Sequence, residues 1–195
     1  MVHLVFESNE TIRQEDFARF VEEREAAGDV HHYELLNGRV VMAPPEGYPH
    51  GSVGSTIQAL LGTFVQERDL GKVFDPSQGF ELPPGDTIQP DHSFVSAARW
   101  RTVTPVEGQF LRVVPDLIAE VLSQMTRSRD RGEKKAIYER NGVREYWLVD
   151  PRARSLTVFQ LRDDRFDRGR TFTKDDRYEP EVLRGLSFTI GAILP

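Results

Sequence analysis

Residues 116–147 read DLIAEVLSQMTRSRDRGEKKAIYERNGVREYW, and the reading of this stretch decides the fold. "DLIAEVL" is an apolar run of strand length interrupted by a single acid, Glu120. A basic segment follows at once, where Ser128 is placed to cap a helix that runs to the stop signal Asn141-Gly142. "REYWLVD" then opens another strand. An ionised carboxylate in a core strand is costly without a partner and would normally protonate, so a metal ion or a basic side chain is the expected companion of Glu120.

Working outward, "REYWLVD" and "SLTVFQL" read as a hairpin joined through Asp150-Pro151, and "FLRVVPDLIAEVLS" as one longer apolar strand. Upstream, Ile12, Phe17, Phe20 and Val21 recur at helical spacing over residues 11–27, with Ser8 or Thr11 as the cap and Gly28 as the stop. "HHYELLNGRVVMAPP" places two apolar runs around Asn37-Gly38, the dipeptide that tolerates a tight hairpin, and predicts strands over 32–36 and 39–43. Val53, Ile57, Leu60, Leu61, Phe64 and Val65 carry the strongest helical periodicity, from His50 to the stop at Leu70-Gly71. "KVFD", "GFELP" and "IQPDHSFVS" are short strands between Pro and Gly turns, and the tail, with "RTFT" and "LSFTI", reads as edge strand and loop. The order is that of an α/β or α+β sheet with helices packed on it.

Composition narrows the chemistry. The 195 residues fit a single domain, with an N-terminal helix and hairpin (1–45), a core (50–160) and C-terminal edge strands (161–195). With 25 Lys and Arg against 31 Asp and Glu, the formal charge is −6, so any nucleic-acid contact must be local rather than drawn by a global basic field. The absence of cysteine removes disulfides, thiolate metal sites and cysteine nucleophiles together. No long apolar segment is present, so a cytoplasmic protein with no membrane partner is expected. Glycine-rich phosphate loops, serine elbows and paired zinc-ligand histidines do not occur.

Asp91 is the other acid that ends an apparent core strand. Asp116 shares a strand face with Glu120, but four steps of about 3.3 Å separate them by about 13 Å, too far to share one small hard cation. Asp91 lies on a different strand, and strands about 4.8 Å apart let carboxylates from the two converge on one divalent ion. Lys134 falls on the following helix with Asp130 and Tyr138 one turn away on the same face. A helix packed back over the strand would lower this ammonium beside Glu120, to steady a developing oxyanion or orient a water.

With these residues in view, "YELLNGRV", "PDHSF", "PDLIAEVLS" and "DRGEKKAIYERNGVREYWLVDP" resemble the Uma-two family, classed with endonucleases in a branch of the PD-(D/E)XK nuclease superfamily. The resemblance spans roughly residues 30 to 160. It implies a restriction endonuclease-like mixed β-sheet flanked by helices, Mg2+ or Mn2+ as cofactor, and nucleic acid, DNA in the first place, as substrate. Pro90-Asp91 supplies the first acid of the superfamily pattern and Glu120 the second, whereas Leu122 stands where the strand lysine belongs. In this branch the lysine has moved to the next helix, in the spacing met by Asp130, Lys134 and Tyr138. "SQMT" replaces the expected serine-proline-serine-threonine turn. The resemblance further gives Glu34 as an acid that reaches the metal through water and His50 as the histidine opening the following helix; the metal set is Asp91, Glu120 and the carbonyl of Val121.

Each residue also has a plainer reading. Asp91 can be a strand-end aspartate bonded to amides, Glu120 a carboxylate bridged to an arginine, and Lys134 a solvated helix lysine. "TRSRDRGEKK" reads as a solvated face from which Arg127, Arg129 and Arg131 reach phosphate. His50 can simply cap its helix, Tyr146 and Trp147 read as core or interface packing, and His31 and His32 as a surface pair. The competing function is a non-catalytic binding or scaffold domain on a nuclease fold, followed by a metal hydrolase of some other phosphoester. The hairpins and the aromatic edge suggest a homodimer.

Overall fold

Glu120 owes its surroundings to the strands on either side of it. In the computed structural model, which describes residues 7–29, 31–43 and 46–194, the chain opens with β1 (Glu7–Thr11), α1 (Gln14–Ala26) and the hairpin β2 (His32–Leu36) and β3 (Arg39–Ala43). Helix α2 (His50–Glu67) precedes β4 (Gly71–Phe74), β5 (Phe80–Leu82), β6 (Asp86–Ile88), β7 (His92–Ser96) and the single turn α3 (Ala97–Trp100). After β8 (Leu117–Val121) comes one helix in three consecutive parts, α4 (Arg127–Arg129), a π-helical turn (Asp130–Lys134) and α5 (Lys135–Arg140). Strands β9 (Glu145–Asp150), β10 (Ser155–Arg162), β11 (Arg165–Phe166), β12 (Arg170–Thr173), β13 (Arg177–Tyr178) and β14 (Phe188–Thr189) follow.

The larger sheet has the order β11-β10-β9-β8-β7-β4, with β12 also on β10, and the smaller one the order β1-β3-β2-β6-β5. Only β8 and β9 are paired in parallel in the larger sheet, while β7 runs antiparallel to β8. A parallel pair needs a crossover, and the helix of residues 127–140 provides it. That is why the basic segment lies over the strand it follows.

Alternation along β8 sorts its side chains onto two faces. Leu117, Ala119 and Val121 pack with Val53, Ile57 and Leu61 of α2. Ile118 and Leu122 pack with Ile137 and Tyr138 of α5 and with Phe80 and Ile88 of the smaller sheet. Glu120 is on this second face, between the crossover helix and the smaller sheet. A third apolar cluster joins Phe17 of α1 to Tyr33, Leu35 and Val40 of the first hairpin.

The hairpin forms over the predicted residues, with Leu36 opposite Arg39 and positive φ at Asn37 (51°) and Gly38 (80°), the combination of a primed two-residue turn. Helix α2 begins at His50 as its periodicity requires. Other expectations are corrected. Ser8 and Thr11 do not cap α1: they belong to β1, paired with β3, and the helix starts at Gln14 without a side-chain cap. Ser128 does not cap the crossover helix either; Ser123 Oγ accepts from the amides of Met125 and Thr126, at 3.1 Å each, and so forms the turn that leads into it. "IQPDHSFVS" divides into β6 and β7, because Pro90 has no N–H to offer a ladder. The strand within "FLRVVPDLIAEVLS" is confined to Leu117–Val121. Tyr146 and Trp147 are fully buried, so they are core residues. In the tail, Glu145 accepts from Tyr178 Oη (2.7 Å), Trp147 Nε1 (2.7 Å) and the amide of Glu181 (3.0 Å), which fixes the C-terminal segment to the sheet.

Candidate active site

The antiparallel register of β7 and β8 places His92 opposite Ala119, and one further step brings Asp91 opposite Glu120. Opposed residues of an antiparallel pair share a sheet face. Two hydrogen bonds tie the pair together: the Asp91 amide donates to Glu120 Oε2 (3.3 Å), and the Val121 amide donates to Asp91 Oδ2 (2.7 Å). Asp91 thus stands immediately before β7, as a turn aspartate does, yet its carboxylate stays partly open to a cavity while Glu120 is buried.

From the crossover helix Lys134 enters the same space. Its Nζ lies 2.6 Å from Glu120 Oε1 and 3.1 Å from Glu34 Oε1, the latter carried by β2. Tyr138 Oη donates to Glu120 Oε1 at 2.6 Å. The amide of Gln89 donates to Glu34 Oε1 at 2.9 Å. Lys134 is therefore not a solvated helix lysine, and the segment "TRSRDRGEKK" is not a uniformly solvated face, since Asp130 and Lys134 point inward.

A π turn spans Asp130–Lys134. Tyr146 donates its hydroxyl to the carbonyl of Asp130 (3.0 Å), the residue at which the wider turn begins. Asp130 and Lys134, four residues apart at the two ends of this turn, both lie on the buried face. Leu122, at the strand position where the superfamily pattern has its lysine, makes apolar packing instead, against the α5 side of the sheet.

These residues line one cavity of about 310 Å³. The carboxylates Glu34, Glu46, Asp91, Glu120 and Asp130 face it, against the cations Lys134 and Arg129. Burial, with the neighbouring Asp91, Asp130 and Glu34 charges, pushes the Glu120 carboxyl up to about 8 despite the opposing pull of Lys134. Asp130 is pushed up to about 6, again first by burial. Burial works against the Lys134 ammonium, but Glu120, Glu34 and Asp130 outweigh it and hold the ammonium well above its ordinary range. His50, the first residue of α2, donates from Nε2 to Asp91 Oδ2 at 3.0 Å; burial opposes its charged form, and Asp91 more than offsets that, raising the imidazolium above its usual value. The same contact holds Asp91 below its usual value against the effect of burial.

Every sequence-predicted side chain, Glu34, His50, Asp91, Glu120, Asp130, Lys134 and Tyr138, is thus at or beside this cavity. His31 and His32 line it as well, so they are more than a surface pair. Of the three arginines expected near phosphate, Arg129 lines the cavity while also reaching Glu7 (3.7 Å) and Glu133 (3.9 Å), and Arg127 and Arg131 pair with Asp150. Asp116 is occupied elsewhere, with Arg99 and the Ser96 amide. Sequence reasoning missed Glu46 and Gln89, each with a buried side-chain oxygen that meets no hydrogen-bond partner. Gln89 stands two residues before Asp91, a closeness that could have suggested it; Glu46, in the loop before α2, gave no such signal.

The donor set bears on a metal. Among the described residues no three His, Asp or Glu side chains converge as a ready cage. What converges is two carboxylates from adjacent strands with surplus negative charge around them, which fits a small hard cation that keeps several waters and takes only one or two carboxylates.

The family model described as Uma2, "Putative restriction endonuclease", matches residues 15–191. No curated protein matches the chain. Among solved structures, "a putative nuclease belonging to DUF820" from Anabaena variabilis ATCC 29413 is similar with a TM-score of 0.67 and 17% sequence identity, over 83% of this chain and 88% of that one. At that identity the likeness is one of fold. No helix among the described residues is long and apolar enough to cross a membrane.

Proposed function

The chain belongs to the Uma2 family of restriction endonuclease-like proteins, and from that premise we propose that it is a divalent-metal-dependent endonuclease that hydrolyses phosphodiester bonds of nucleic acid, DNA first. The observation that carries this reading is the meeting of Asp91, Glu120 and Lys134 in one cavity from two strands and the crossover helix. Asp91 and Glu120, with the carbonyl of Val121, would hold Mg2+ or Mn2+. Such an ion supplies Lewis acidity toward the phosphate and makes water a better nucleophile.

The chain's own groups do the rest. Lys134, fixed by Glu34 and Glu120, brings a buried positive charge to where charge develops on the phosphate and water is oriented. Tyr138 holds Glu120 Oε1, which leaves Oε2 directed toward Asp91. His50 holds the carboxylate of Asp91 in place through Oδ2. Arg129 is the side chain on the cavity best placed to meet a substrate phosphate.

The test is a plasmid-nicking assay with Mg2+ or Mn2+, run on the wild type beside Asp91→Ala, Glu120→Ala and Lys134→Ala. Cleavage by the wild type alone supports the reading, and cleavage surviving all three changes refutes it. One observation favours a second reading, a non-catalytic binding or scaffold domain: the Lys134–Glu120 ion pair already neutralises the buried acid without a metal. Calorimetry separates the two, because a scaffold of that kind has no affinity for either ion.

A further inference from the structure

The Lys134 ammonium has two seats, and they differ. Glu120, at 2.6 Å, is a proposed metal ligand; Glu34, at 3.1 Å, belongs to the first hairpin and is anchored by the Gln89 amide rather than by anything on β7 or β8. Lys134 and both carboxylates are almost completely buried. A buried ammonium stripped of its only partner is strongly unfavourable. If Glu120 were the sole partner, a divalent ion arriving there would leave such an ammonium behind.

We propose that Lys134 is a placeholder for the cation, and that Glu34 is the seat that retains its ammonium when a divalent ion takes over Glu120. Glu34 is then a positioning residue that acts through Lys134, a role different from water-mediated contact with the metal. The inference rests on the reading of Asp91 and Glu120 as metal ligands. It gives the N-terminal hairpin a task in the site: β2 carries the group that makes Lys134 and the ion compatible.

The two residues should consequently act on metal affinity with opposite signs. Calorimetry of Mn2+ binding to the full chain, without nucleic acid, compares the wild type with Glu34→Gln, Lys134→Met and the double variant. Thermal melts report folding, and Lys134→Gln stands in if the methionine variant does not fold. Glu34→Gln should weaken Mn2+ binding about tenfold, because the ammonium then clings to Glu120, and Lys134→Met should tighten it about fivefold or more, both within the usual range of coupling between sites. In the double variant the effect of Glu34→Gln should shrink to less than about threefold. Equal weakening by Glu34→Gln in both backgrounds would show that Glu34 acts on the ion itself and would overturn the proposal, as would weaker binding in Lys134→Met. Failure of the underlying reading looks different: wild-type protein would then bind no Mn2+, or would bind it equally well as Asp91→Asn.

Discussion

Lys134 Nζ and Glu120 Oε1 lie 2.6 Å apart although the two residues sit on different elements, a helix turn and a core strand, and both are buried. This contact answers the question that Glu120 raises in the sequence, since the crossover between two parallel strands returns a lysine to the acid in the first of them. Several outcomes should follow from it.

Removing the lysine should be costly to the fold. Lys134→Met leaves Glu34 and Glu120 facing each other without a cation, and breaking a buried pair in this way typically costs about 3–5 kcal/mol. Denaturant unfolding of metal-free protein measures it. Adding Glu120→Gln should recover part of the loss at alkaline pH, above about 8, where Glu120 would otherwise be a stranded charge.

Stability should fall with rising pH in the metal-free protein. Glu120 is raised from an ordinary carboxylate value of 4.5 to about 8, so the folded state binds more protons than the unfolded one between those limits. Its contribution is complete below the unfolded value and is lost as pH rises through the folded one. Melting temperatures from pH 5 to pH 9 should therefore decline across this window, and Glu120→Gln should flatten the decline.

Moving the lysine back to the strand should not work. Leu122 is 4% exposed and packs in the core with Ile137 and Tyr138, so Leu122→Lys buries a charge among apolar groups. We expect a loss of more than about 3 kcal/mol and no rescue of nicking activity in a Lys134→Ala background. Restored cleavage in the double variant would mean that the strand position still accepts the role.

The arginines should separate by function. Arg129→Ala should weaken nucleic-acid binding and reduce its salt dependence by about one phosphate contact. Arg127→Ala should lower stability through loss of its pair with Asp150, at 2.7 Å, and leave the salt dependence nearly unchanged. Fluorescence anisotropy at several salt concentrations, beside melting curves, distinguishes the two.

Much of this was legible in the sequence because it depends on local chemistry. Asn37-Gly38 specifies its hairpin by backbone conformation, α2 its buried face by periodicity, and the lone acid in "LIAEV" its need for a cation. The spacing of Asp130, Lys134 and Tyr138 places them on one helix face, and that face turned out to be the buried one. What stayed hidden depends on distant partners. Nothing near Lys134 in the chain points to Glu34, because their contact exists only once β2 has paired with β6 in the smaller sheet. The π turn was equally unreadable, since it accompanies a hydroxyl supplied by Tyr146 from the next strand. The caps failed for a related reason: Ser8 and Thr11 were taken up by a strand pairing, and Ser123, five residues before Ser128, formed the turn that leads into the helix.

The most direct test of the central claim, one cation shared by Asp91 and Glu120, is an anomalous-difference map from crystals of the protein soaked in Mn2+. The account predicts a single peak within coordination distance of both carboxylates, about 2–2.5 Å, with Lys134 still close to Glu34. A map without a peak between those two carboxylates, at Mn2+ concentrations that support cleavage, would contradict it.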